Sequence, residues 1–385
     1  MELLNSLIYL TKSSTLRKLS GEPKILYKYS IAATFYNIIN GKQLQVGQFV
    51  NLEIARDILK NPKKSSESYD LAFFKKQVHD SLRRGHFHNP DSKETVDIIF
   101  GFFREKLEGL KVGKRFWKGS EFEKIISLNE FFKGRSGPIK EHHWIDFNIQ
   151  RGLIPTIPDL ITYFDLINSW NWILERHKRY SQLAEEQNDG LIARLDFLKN
   201  EEGRKILYEI FSLQRICYTS CVTFVESYLF NLFYNFKSNQ LFADEGEISD
   251  LYKLHERNVN DTHVMEKIIF PKFLQEDSQS NKRIKELYTE FLEVNKVRNA
   301  IIHTTSYEDK SNQRSFMEMF FEVNLEKVEK AMNNSVEFVL LIDQLLPHEH
   351  KLLYWWDKFE TPDFSKRKKI STINPDSNLS KLTSI

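Results

Sequence analysis

The side chains best suited to chemistry in this 385-residue sequence stand close together in Asn295-Lys-Val-Arg-Asn-Ala-Ile-Ile-His303. An imidazole moves protons near neutral pH, and a guanidinium holds oxyanions through a fixed fork of N–H donors. At about 100° per residue, Ile284, Leu287, Tyr288, Phe291 and Ile302 share one helical face, the stripe that must be buried. Asn295 and Arg298 fall in that same face. Polar side chains on a core-facing stripe are costly when unpaired, so these two are either networked or lining a cleft. His303 follows Arg298 by about 140° around an ideal helix. It reaches the same cleft most easily if the helix loosens at Thr304-Thr-Ser306.

Other arginine–histidine spacings occur at Arg83 and His88, Arg135 and His142, and Arg257 and His263. The first two sit among breakers, beside Gly85 and Gly137-Pro138, and the third lies in a polar stretch with no apolar stripe. Only Arg298 projects from a buried face. His86/His88, His142/His143 and His348/His350 have no supporting cysteine and read as loop surface rather than metal ligands, so no metal and no cofactor is expected. Cys217 and Cys221 stand four apart in a helical pattern, where packing explains them better than a disulfide or a metal. Nucleotide-binding Gly-rich loops, His-Glu-x-x-His and Gly-x-Ser-x-Gly are all missing.

Arg-Asn-x-x-x-His within Val297–Thr304 resembles the Arg-x4–6-His motif of the HEPN superfamily of helical ribonucleases. Phe224-Val-Glu-Ser-Tyr-Leu-Phe-Asn-Leu-Phe233 is similar to the long helix of that family that carries an acidic residue in an aromatic and leucine-rich run. Glu226 sits at the edge of the stripe formed by Tyr218, Cys221, Val222, Val225 and Leu229, and either pairs with Arg298 or stays on the surface. The resemblance covers roughly Arg204 to Leu346. It implies a four- or five-helix bundle that cleaves RNA (tRNA, rRNA or mRNA) without a metal. His303 would be the general base or acid, Arg298 would bind phosphate, and Asn299 would orient the phosphate or the imidazole. Glu226 and Asn295 would support them. It also implies a homodimer, a toxin or abortive-infection role against phage, and a trigger, phage-derived or host, sensed by the N-terminal half.

The elements that must hold these groups are mainly helical. Fourteen Gly and 10 Pro are too few to punctuate an all-β chain, while 30 Phe, 15 Tyr and 6 Trp supply apolar area for real cores. A formal net charge of +2 excludes a polycation or an acidic tail as a description of the whole. No apolar run approaches the ~20 residues that cross a bilayer, and the start does not read as a secretory signal, so a cytoplasmic protein without membrane contact is expected.

Capping boxes at Asp91–Glu94 and Ser120–Glu123 open runs to Leu110 and Phe132. Leu52–Leu59 and Tyr69–Leu82 have the same period, whereas Leu10–Gly47 reads equally as helix or strand. Gly113–Gly119, Lys133–Lys140 and Gly152–Pro158 read as breaks.

The expected layout is a largely helical N-terminal domain (1–152), a helical connector (153–203), a HEPN-like bundle (204–350) and an extension ending in a basic, disordered tail (351–385). Within the bundle, 237–282 reads as a polar insertion outside the core. The competing expectation is a non-catalytic helical dimerisation or interaction module binding protein or nucleic acid. There Arg298 is a buried ion-pair partner and His303 a helix C-cap.

Overall fold

The computed structural model describes residues 2–39, 46–82, 92–123, 125, 127–129, 139–148, 152–186, 201–274, 278–302, 308–309 and 314–356. The chain is mainly helical and divides into two compact units, Met1–Ile157 and Pro158–Ile385.

The first unit runs through α1 (Glu2–Thr11), α2 (Ser13–Leu16), α3 (Gly21–Ile39), α4 (Val46–Lys60), α5 (Pro62–Ser68), α6 (Leu71–Leu82) and α7 (Lys93–Lys111). After α7 come β1 (Phe116–Lys118), α8 (Ser120–Glu123), β2 (Trp144–Asn148) and β3 (Gly152–Thr156). Helix α3 settles residues 21–39 of the ambiguous stretch as helix. Tyr27, Tyr29, Ile31, Phe35 and Tyr36 are all buried, so it is apolar nearly all round and carries no amphipathic signal. The Phe35 ring stacks on Phe103 of α7 at 4.8 Å.

The α7 cap is Ser92, whose hydroxyl accepts from the Thr95 N–H, one position later than the box expected at Asp91. Residue 91 itself lies outside the described residues. At the second expected box Ser120 is already the first helical residue, and α8 ends at Glu123; residues 130–132 of the expected run are not described.

The strands form an antiparallel sheet in the order β1-β2-β3, with Trp117 opposite Ile145 and Ile145 opposite Pro155. Two stretches read as breaks therefore contain strands. Pro155 sits on edge strand β3, where proline's missing N–H is tolerated, and Gly152 opens that strand at φ +81°, a conformation glycine adopts freely. Arg115 grips Asp146 of β2 with two hydrogen bonds, at 2.7 and 2.5 Å.

The second unit begins with α9 (Pro158–Glu186) and α10 (Glu201–Ser238). These run antiparallel, tied by Asn231–Asp159 (2.7 Å), Arg176–Glu209 (3.1 Å) and Arg179–Glu202 (3.2 Å). Residues 158–186, expected as part of a connector, are thus a packed element of this unit. Short helices α11 (Gly246–Lys253), α12 (Asp261–Val264) and α13 (Phe270–Phe273) follow, the last two joined by a π turn over Met265–Ile269. This is the stretch read as an insertion outside the core. It instead buries Ile248, Leu251, Val264, Met265, Ile268 and Ile269.

The remaining elements are α14 (Gln279–Ile302), a two-stranded ribbon of β4 (Glu308–Asp309) and β5 (Arg314–Ser315), α15 (Phe316–Phe321) and α16 (Leu325–Leu345). Asn324 caps α16 by accepting from the Lys327 N–H, and Pro347 follows its end. Arg283 of α14 clasps Glu337 of α16 at 3.0 and 2.9 Å.

Beyond α16 the chain stays packed to Trp356. Asp343 accepts from the Tyr228 hydroxyl at 3.1 Å and from the Leu352 N–H at 2.8 Å, and Trp355 is fully buried against Tyr163. The expected disordered tail, from residue 357 onward, lies outside the described residues.

Candidate functional site

Helix α14 buries Ile284, Leu287, Tyr288 and Phe291 of the expected stripe, with Val294 and Ala300 besides, but Ile302, also expected there, is 52% exposed at the end of the helix. Arg298 is four residues beyond Val294 and seven beyond Phe291, so it leaves the helix on that side. Its guanidinium Nη2 donates to Glu226 Oε1 of α10 at 2.5 Å. Both side chains are largely covered, at 19% and 27% exposure. Glu226 arrives there because its neighbours Val222, Val225 and Leu229 are fully buried, which turns this face of α10 inward.

The carboxylate is not simply neutralised by its partner. Burial pushes the Glu226 pKa up, Arg298 pulls it back, and the nearby Asp261 carboxylate pushes it up again, with a net upward shift. Asp261 is a site residue that spacing could not reveal. It opens the short helix α12, is 7% exposed, and its Oδ2 atom takes no hydrogen bond among the described residues. Its only mark in the sequence is a carboxylate just after a capping asparagine.

The other expected site residues divide. Asn295 is half-buried and its Oδ1 is enclosed without a hydrogen-bond donor among the described residues. Asn299 is exposed on α14, not on the stripe side with Arg298. His303 and Thr304-Thr-Ser306 lie outside the described residues. The structure thus joins Glu226 to Arg298 and leaves the arrangement around His303 undescribed.

The rival pair has a different occupation. The Asn260 N–H donates to His263 Nδ1 at 3.3 Å and the His263 N–H donates to Asn260 Oδ1 at 2.9 Å, a capping box for α12. Arg257 is exposed in a 3-10 turn. His142 and His143 are buried rather than on the loop surface expected for them, and burial holds the His143 pKa well below the ordinary imidazole value. His348 lies in a 3-10 turn, while His86 and His88 fall outside the described residues.

Among the described residues no group of three His, Cys, Asp or Glu side chains gathers as metal ligands would, and no helix is long and apolar enough to cross a membrane. No family model, curated protein or solved structure matches the chain.

Proposed function

We propose that the chain is a HEPN-type endoribonuclease in which Arg298, Asn299 and His303 act on RNA. The observation that carries this reading is the Arg298 cation, held half-buried between two long helices by Glu226 rather than released to solvent. RNA brings its own nucleophile in the 2′-OH. The protein must take that proton, stabilise charge on the phosphorane and return a proton to the departing 5′-oxygen. His303 moves a proton, and Arg298 donates N–H groups to the non-bridging oxygens. Asn299 orients the phosphate, Glu226 fixes the guanidinium, and Asn295 supports the site from one turn earlier on α14.

The products are a 2′,3′-cyclic phosphate and a 5′-OH. One imidazole carries one proton, so two chains pair to bring two histidines to a shared cleft. On this reading the protein is a cytoplasmic toxin or abortive-infection effector directed at tRNA, rRNA or mRNA, with the N-terminal unit sensing a trigger. That role rests on the family resemblance alone.

A non-catalytic dimerisation or interaction module is the second reading, and the Arg298–Glu226 contact itself favours it, because a guanidinium already matched by a carboxylate is also a structural tie. Total RNA incubated with the purified full chain in excess chelator separates the two. Cleavage leaving cyclic-phosphate and 5′-OH ends supports the enzyme. Intact RNA, or cleavage that returns only with Mg²⁺, overturns it.

A further inference from the structure

The N-terminal half of α10 carries a row of cations and rings that the proposed chemistry does not use. Arg204, Tyr208, Phe211 and Arg215 stand at i, i+4, i+7 and i+11, within about 60° of the helix circumference. Tyr208 is 70% exposed and Phe211 41%, whereas Tyr218, Phe224 and Tyr228 of the same helix are buried. Arg204 and its neighbour Lys205 take no ion-pair partner among the described residues.

Beside them Arg176 of α9 pairs with Glu209, and the floor between the two helices is an open cavity of about 720 Å³. At the other end of the row the Arg215 guanidinium lies 4.5 Å from the centre of the Phe320 ring, already stacked. Beyond Arg215 the same helical face turns inward, with Tyr218 and Val222 buried, so the exposed row ends there.

We propose that this face of α10 is a track for single-stranded RNA. Tyr208 and Phe211 stack bases, while Arg204, Lys205 and Arg215 meet phosphates. Aromatic rings between cations are what a single strand of any sequence recognises, since every base has a flat face and every linkage a charge. A second copy of the chain fits less well. A symmetric contact would set these cations against their own copies, and of the two carboxylates at the cavity, Glu201 and Glu209, the latter is taken by Arg176.

The partner named here rests on the ribonuclease reading, so the test separates binding from turnover. The probe is a fluorescent polyuridylate oligomer with 2′-O-methyl groups, which lacks the attacking hydroxyl. Its anisotropy is titrated with the full chain, while cleavage of the ordinary oligomer is followed in parallel. Tyr208→Ala is expected to weaken binding about five- to 150-fold, the range for one stacked base, and Tyr208→Trp to restore it. Arg204→Ala with Lys205→Ala should lower the slope of log affinity against log salt by about 0.7 for each phosphate that the protein no longer neutralises.

These positions are exposed and without ion-pair partners among the described residues, so unchanged helical signal and melting confirm the fold. If wild type cleaves and the variants bind as tightly as wild type, the track is wrong and the ribonuclease reading stands. If wild type binds through these residues and never cleaves, the track stands and the ribonuclease reading falls. If the variants turn a dimer into a monomer with RNA affinity unchanged, the face is a contact between copies and the proposal is overturned.

Discussion

The Arg298 guanidinium and the Glu226 carboxylate meet at 2.5 Å although 72 residues separate them along the chain. Glu226 nevertheless holds its proton more tightly than an ordinary carboxylate, because burial and Asp261 outweigh the cation. The contact therefore positions Arg298 without a strongly stabilised ion pair, consistent with a group whose charge is needed elsewhere.

Alanine at Arg298 or at His303 is expected to lower RNA cleavage by ~10²–10⁴, while Arg257→Ala and His263→Ala leave the rate within tenfold of wild type. His263→Ala instead removes half of the α12 capping box and should cost about 1 kcal/mol of stability. Initial rates on one RNA, with circular dichroism on each variant, decide between the pairs. An essential Arg257/His263 pair beside a dispensable Arg298/His303 would refute the assignment.

The purified protein is expected to scatter light as twice the 45.7 kDa chain mass. An active monomer at the assay concentration would show that a second histidine is not needed.

Glu226→Gln tests the raised carboxylate. A folded-state pKa above the unfolded value of about 4.3 means that stability from protonated Glu226 is full below that pH and lost as pH rises through the folded value. Wild type should therefore lose stability relative to the glutamine variant as pH rises from about 4 toward neutrality. Urea midpoints of both proteins across that range provide the measurement, and a difference of opposite slope would mean that Arg298 dominates after all.

His177, on α9, is 7% exposed, and neither ring nitrogen has a hydrogen-bond partner among the described residues. Burial lowers its pKa to about 4. The folded state binds the proton more weakly than the unfolded chain, so stability is full above about 6.5 and falls as pH drops toward 4. His177→Leu should remove about 3 kcal/mol of acid sensitivity, read as the difference in unfolding free energy between pH 7.5 and 4.5. Equal acid sensitivity in both proteins would place the ring in water.

Long one-sided helices were the legible part of the fold. In α14 the apolar residues recur with helical period, and the same spacing placed Arg298 toward the core. Helix α3 was opaque because it is buried on nearly every side, which erases the periodic signal. The strands of the three-stranded sheet were opaque because they are only three to five residues long, and because Gly152 and Pro155 read as punctuation when one opens an edge strand and the other lies in it.

In 237–282 the average polarity concealed short buried pairs such as Ile268 and Ile269, which composition dilutes and tertiary packing selects. At the site, Arg298 and Glu226 could be matched because both edge long stripes. Asp261 could not, since a carboxylate at the start of a four-residue helix looks like any other turn residue.

Cys217 and Cys221, the only two cysteines in the chain, are free thiols, buried and one turn apart on α10. Burial pushes the Cys221 thiol well above its ordinary range, so the reactive thiolate is scarce while the helix stays closed. Alkylation can then proceed only as fast as the protein opens around them, which makes the pair a native stopwatch for the helix that bears Glu226. Labelling rates that rise steeply with urea would time global unfolding, and rates insensitive to it would time a local breathing of α10.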